Sequence, residues 1–328
     1  MSDELRYNEY IRDDFKHITL GNGVLEADFV PELGGKMSQL INLTTGTDFL
    51  LEPKTSDGKY KKPKYGGDFE KFDTSGFDEC FPTVSDAEIE IDGKSILFPD
   101  HGELWSRDWD VEQRGHSLTM SIDGIRWDYT FAKRITFEDN AIIIRYTLIN
   151  KGDKALPYIW SAHPLLKISP GSKLMFADSF DRVLVNWASD PEIGSFGDEI
   201  SWPELLDNGE QTDFTDVPER EFGRTAKLFT PRLDKGQAGL YRADVDESIC
   251  FEFDTEEVPY MGLWLCYGGW PVELPSGQKH MTVGLEPTTG RPDSLKEAVK
   301  RDECPILKAG DTTNWILTMY VEQGKASF

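Results

Sequence analysis

What most constrains this chain is a recurring pattern: short runs of β-branched and aromatic residues, many alternating with polar ones, that stop at Gly, Asp or Asn. Strand side chains point to opposite faces at a period of two, so an alternating run buries one face and wets the other. Ala87-Glu-Ile-Glu-Ile91 alternates in this way, and Asp92-Gly93 then precedes Ser95-Ile-Leu-Phe98. Asp-Gly accepts the positive φ angles of a two-residue turn, which predicts a hairpin. Ser117-Leu-Thr-Met-Ser-Ile122, Asp123-Gly124 and Ile125-Arg-Trp-Asp-Tyr-Thr-Phe131 predict a second of the same design. Lys133-Arg-Ile-Thr-Phe137 and Ala141–Ile149, joined by Glu138-Asp-Asn140, extend it into a meander. Further strands are expected at Lys173–Phe176, Val183–Trp187, Ser248–Phe253, Leu263–Tyr267, Thr282–Leu285 and Trp315–Val321.

One segment reads as a helix. Ser294-Leu-Lys-Glu297 has the S-x-x-E spacing of a capping box, in which serine and glutamate side chains satisfy free backbone amides, and Ala298-Val-Lys-Arg301 completes it. The expected fold is therefore all-β, a large antiparallel β-sandwich with few short helices. The acidic stretch from about Asp190 to Arg220 is poor in strand signals but contains Phe196, Trp202 and Phe214, too aromatic for a disordered linker. It is expected to be an insertion around residues 190–220 in a single domain spanning 1–328.

Charge and cysteine content narrow the function class. A formal charge of −24 repels nucleic-acid phosphates and anionic membrane surfaces, so neither is expected as a partner. Met1-Ser-Asp-Glu-Leu-Arg lacks the basic start and apolar core of a secretory signal, and no apolar run approaches the roughly 20 residues that cross a bilayer. Cys80, Cys250, Cys266 and Cys304 are scattered, with neither metal-site spacing nor the density of a disulfide scaffold. Reduced thiols in a cytoplasmic protein are the expectation.

Of five histidines, two sit in distinctive contexts, Phe98-Pro-Asp-His101-Gly-Glu-Leu-Trp105 and Tyr158-Ile-Trp-Ser-Ala-His163-Pro-Leu-Leu166. Imidazole titrates near pH ~6.5 and can give or take a proton near neutrality, while a neighbouring Trp105 or Trp160 offers a face for a sugar ring. Glu286, in Met281-Thr-Val-Gly-Leu-Glu-Pro-Thr-Thr-Gly290, ends an apolar strand before a Pro/Gly-rich loop. There a rigid strand aims the carboxylate and the loop leaves room for a ligand.

Taken together these segments resemble the aldose 1-epimerases and other galactose mutarotase-like proteins, in a divergent bacterial-type branch. The resemblance is carried in order by Phe29-Val-Pro-Glu-Leu-Gly-Gly-Lys-Met-Ser-Gln-Leu40, Gly76-Phe-Asp-Glu-Cys-Phe-Pro-Thr83, Asp100-His-Gly-Glu-Leu-Trp105, Ser161-Ala-His-Pro-Leu165 and Leu285-Glu-Pro-Thr-Thr-Gly-Arg-Pro-Asp293. It implies a β-supersandwich with a sugar site in a cleft on one sheet, and a monosaccharide partner, an aldohexose or a sugar phosphate. It further implies His163 as the acid for the ring oxygen, Glu286 as the base for the anomeric hydroxyl, and His101 as a sugar-binding residue. The implied activity is interconversion of α and β anomers without a cofactor. A non-catalytic carbohydrate-binding or sensing protein using the same cleft is the alternative.

Two features depart from the better-known epimerases. The second histidine lacks their Asn-His-x-x-Phe-Asn surroundings, and Ser75-Gly-Phe-Asp-Glu-Cys-Phe-Pro82 lacks their sugar-gripping arginine. Asp78 and Glu79 are candidates to accept hydrogen bonds from sugar hydroxyls, and Arg107, Arg134 and Arg291 to replace the arginine. A cluster of these arginines would favour a phosphorylated sugar. In Gly262-Leu-Trp-Leu-Cys-Tyr-Gly-Gly-Trp270, Trp264, Tyr267 and Trp270 are candidates for a platform that stacks on the sugar, but strand alternation separates Trp264 from Tyr267, so part of this aromatic set belongs to the core. No metal is expected, although His101-Gly-Glu103 with His163 or Glu286 offers a metal-site alternative.

Overall fold

A computed structural model describes residues 6–207, 210–218, 222–275 and 277–328. Met1–Leu5, read above for a leader, and residues 208, 209 and 219–221 of the acidic stretch, Arg220 among them, lie outside the described residues.

The chain is all-β, built on two large antiparallel sheets. The larger, of twelve strands among the described residues, begins with Arg6–Arg12, Phe15–Gly21, Leu25–Val30 and Lys36–Asn42 in chain order. Its next strands come from across the sequence: Phe77–Cys80, Ser161–Pro164, Met281–Thr288, Tyr260–Tyr267, Arg224–Phe229, Arg182–Ala188 and Glu199–Ser201, and the short Thr47–Asp48 pairs beside Lys36–Asn42 as the twelfth. The second sheet, of eight, runs Lys173–Phe176, Gln237–Arg242, Glu247–Phe253, Thr312–Gln323, Ala141–Asn150, Tyr129–Glu138, Ser117–Asp123 and Asp110–Arg114.

Alternation explains how the sheets meet. Along Tyr129–Glu138, Tyr129, Phe131, Lys133 and Ile135 are buried, whereas Arg134 between them is exposed. The inner faces interlock through aromatic rings, with Phe81 on Phe131 at 5.4 Å and Trp160 on Tyr146 at 4.6 Å. Within this apolar layer sits the Glu79 carboxylate, which accepts hydrogen bonds from Lys133 Nζ (3.1 Å), Tyr146 Oη (3.0 Å) and Trp160 Nε1 (2.8 Å). Glu79 thus ties one sheet to the other and is fully buried.

The first hairpin forms as expected: Ala87–Ile91 pairs with Lys94–Phe98, and Asp92 and Gly93 take φ of 54° and 74°. The second differs. Ser117–Asp123 and Tyr129–Glu138 do pair, but a five-residue loop replaces the two-residue turn. Glu103 is the reason, because its buried carboxylate draws in the amides of Ile125 (3.0 Å) and Arg126 (2.9 Å) and the hydroxyls of Tyr65 and Tyr129. The helix forms over Leu295–Arg301 without the expected capping box, since Ser294 makes no side-chain cap. Thr83 Oγ1 accepts from the Leu295 amide instead (3.1 Å), and Glu297 pairs with Lys300.

The acidic stretch carries short strands, Glu199–Ser201, Glu204–Asp207 and Glu210–Asp213. Trp202 and Phe214 are buried in the core, and Phe196 is exposed. All four cysteines are unpaired. No helix among the described residues is long and apolar enough to cross a membrane.

Candidate active site

The middle strands of the large sheet turn their outer face to a cleft of about 270 Å³. On Ser161–Pro164, His163 stands in register with Asp78 of Phe77–Cys80. On Met281–Thr288, Thr282, Gly284 and Glu286 share the cleft face, while Val283 and Leu285 enter the core. On Arg224–Phe229 the cleft-facing residue is Lys227, and on Arg182–Ala188 a bulge brings both Asn186 and Trp187 to the cleft. His163 Nε2 lies 3.8 Å from Glu286 Oε1.

Two glycines make room for the carboxylate. A Cβ on Gly284 would come within 2.8 Å of Glu286 Oε1, and one on Gly262, its cross-strand partner, within 3.2 Å of Oε2. Glu286 therefore lies flat across the sheet. Its Oε2 is ion-paired with Lys227 Nζ, which stands 3.6 Å from Asp293 Oδ1. Asn186 Nδ2 donates to Asp293 Oδ2 at 2.7 Å and closes the network.

His101 forms the opposite wall. Its backbone takes φ 55°, a left-handed conformation that non-glycine residues seldom adopt and that recurs at functional sites. Asp100 Oδ1 holds its Nδ1 at 2.9 Å, and the Phe69 ring stacks on the imidazole at 4.0 Å and 11°. The His101 and His163 rings meet edge to face at 5.1 Å. Trp264 closes the far side, stacked with Trp187 at 6.0 Å and edged by Trp270 at 5.7 Å.

No family model matches the chain. Solved structures do, over almost its whole length. A galactose mutarotase-like protein from Clostridium acetobutylicum aligns with a TM-score of 0.68 at 16% identity, covering 98% of this chain and 100% of the other. One from Lactobacillus casei aligns at 0.66 and 16% identity, covering 93% and 100%. An aldose epimerase homologue from C. elegans aligns at 0.65 and 14% identity, covering 98% and 100%. The fold is that of the galactose mutarotase-like proteins. Identities this low carry the fold alone, so the chemistry of this mutarotase-like cleft has to be read from its own residues.

His101, His163, Trp264 and Trp270 line one cleft, with Glu286 fully buried in its floor beside His163, and the other sequence candidates lie elsewhere. Asp78 shares the cleft-side face but is buried in an ion-paired group with Lys36, which also meets Asp73 at 3.0 Å. Glu79 points the other way, because adjacent strand residues face opposite sides, and is committed to the core. Arg107 is bound to the Asp123 carbonyl (2.7 Å), Arg134 is exposed on the outer face of the smaller sheet, and Arg291 is paired with Glu303 (2.8 Å). None of the three lines the cleft. Trp160 and Tyr267 are core residues, and Trp105 packs against Phe69 and Phe72 outside the cleft lining. Glu103, occupied by four donors, is not free to hold a metal, and no group of three or more His, Cys, Asp or Glu among the described residues is arranged to do so.

Lys227, Asn186, Asp293 and Phe69 are cleft residues that sequence reasoning missed. Lys227 alternates with apolar residues in Arg224-Thr-Ala-Lys-Leu-Phe229, a pattern that reads as a wetted strand face. Asp293 closes the last motif of the family resemblance, which was its one available signal.

Burial sets the charges here. It pushes His163 well below its usual value, helped by the nearby Lys227 and Lys36 ammonium groups. Burial also raises Glu286, against the opposing pull of Lys227. Burial disfavours the Lys227 ammonium too, but Asp293 and Glu286 outweigh that and hold it charged. Four buried polar atoms around this floor have no hydrogen-bond partner: His163 Nδ1, Glu286 Oε1, Asp293 Oδ1 and Asp78 Oδ1. Buried polar atoms without a partner are rare in folded proteins.

Proposed function

We propose that this protein is a sugar isomerase of the aldose 1-epimerase type, acting on a neutral aldose. One observation carries the reading: two buried proton-transfer groups, His163 and Glu286, face each other across 3.8 Å, with Glu286 Oε1 and His163 Nδ1 unpartnered. In the ring-opening direction Glu286 takes the proton of the anomeric hydroxyl while His163 gives one to the ring oxygen. The C1–O5 bond breaks and leaves an open-chain aldehyde. Rotation about C1–C2 and reclosure, with the two proton transfers reversed, yields the other anomer. Burial lowers His163 and raises Glu286, so in the free protein it opposes the protonated imidazole and ionised carboxylate from which this direction starts. The rate should follow a bell-shaped pH profile whose limbs belong to both groups.

The charges of the cleft support a neutral substrate. Lys227 is the one lysine or arginine lining it among the described residues, and it is committed to Glu286 and Asp293. Asp68, Glu70 and Asp100 also line the cleft, so a phosphate would be desolvated against carboxylates without a free cation. Polarimetry of freshly dissolved α-glucose and α-galactose tests the reading. Acceleration with these sugars, and little with their 6-phosphates, is expected. The Lys227–Glu286 ion pair favours a second reading, a non-catalytic carbohydrate-binding protein, because a base already paired is weaker. Saturable binding by calorimetry with no faster mutarotation would select it.

A further inference from the structure

Lys227 is buried, with 4% of its surface exposed, on a strand whose other face enters the core through Ala226 and Leu228. A buried ion pair gains little stability over apolar residues of the same volume, so stability does not account for it. Its geometry is directed at one atom. It holds Glu286 Oε2 and leaves Oε1, the oxygen turned toward His163, without a partner. The charged and titratable groups that face Glu286 are Lys227 from its strand, His163 from Ser161–Pro164, Cys80 from Phe77–Cys80, His101 from the opposite wall, and Asp293 beyond its own strand. Tyr260–Tyr267 contributes the bare backbone of Gly262. Lys227 is the lysine that favours the carboxylate, and it touches it.

We propose that Lys227 is a positioning residue for the proton transfer: it clamps Oε2 of Glu286, so that Oε1 alone meets the ligand and the carboxylate stays in its proton-accepting form. The inference rests on the epimerase reading. It adds a residue that acts through Glu286 and does not touch the reacting atoms.

Two measurements on the full chain separate the proposal from that reading. The first is the pH profile of kcat/KM for mutarotation in the wild type, Lys227→Met and Lys227→Arg. The second is an infrared titration of the Glu286 carboxyl, assigned by difference from Glu286→Gln, which needs no turnover. In Lys227→Met, loss of a positive charge raises the proton affinity of both Glu286 and His163, so both limbs of the profile should move to higher pH. The carboxyl should titrate at least about one unit higher, which corresponds to about tenfold in proton affinity. kcat should fall more than KM changes, and Lys227→Arg should restore most of both signals. A carboxyl titration in Lys227→Met that coincides with the wild type overturns the proposal, whatever the activity. If the wild type accelerates no mutarotation, the epimerase reading falls, and the infrared shift alone decides whether Lys227 holds Glu286. Should Lys227→Met fail to fold, Lys227→Gln keeps a donor without the charge and is expected to give the same shift.

Discussion

Asp78 and Glu79 are adjacent acids with opposite fates: one lies on the cleft-side face beside Lys36, the other is sealed between the sheets by Lys133, Tyr146 and Trp160. Strand alternation predicts that they part, yet nothing local says which goes where. That depends on pairing with Ser161–Pro164, far along the chain. The same non-locality hid Lys227, whose partners Glu286 and Asp293 come from another strand and the loop beyond it. His101, His163 and Glu286 could be named as candidates because their local contexts set them apart, a histidine after Pro-Asp, a histidine before Pro and an acid closing an apolar strand. At this scale the epimerase reading makes a direct prediction. Glu286→Gln and His163→Asn should each lower kcat/KM for mutarotation by about 10²–10⁴-fold, measured by polarimetry, since a positioned acid or base is worth that much.

Strands and turns were more legible than their connections. Asp92-Gly93 builds its hairpin because both residues accept positive φ, whereas Asp123-Gly124 is overruled by a buried carboxylate twenty residues away in the chain, Glu103. The helix shows the same competition. Its start was readable, but Thr83 from a distant loop supplies the cap expected of Ser294. Thr83→Val should therefore cost about 1 kcal/mol in urea unfolding, and Ser294→Ala should change stability by less than about 0.5 kcal/mol. In Met281–Thr288 the glycine at 284 is what lets Glu286 lie flat. Gly284→Ala should displace the carboxylate and lower kcat by about 10–100-fold while the far-UV circular dichroism stays unchanged.

For the whole molecule, alternating patterns predicted a sandwich but not its sheet order, which is set by pairings between distant segments. Arg6–Arg12 also escaped notice, because nearly every one of its residues is exposed and it carries no buried face to reveal it. The two layers are joined at their centre by Glu79. Glu79→Gln would leave the Lys133 ammonium buried without a carboxylate, so the unfolding free energy should drop by about 3–5 kcal/mol in urea titration. Sugar affinity of the folded protein should not change, because Glu79 does not reach the cleft.

The cleft floor is laid by strands that begin at Phe77, Ser161, Arg224 and Met281, with the loop residue Asp293 beside them. Contacts this distant in sequence are costly to close and form slowly. A nascent chain halted before its last quarter carries His101, His163 and Lys227 but neither Glu286 nor Asp293, and so leaves a lysine without its carboxylates. The polar network of the floor is thus complete only when the two ends of the fold have met, and a ligand held there would report on a finished molecule and on no intermediate.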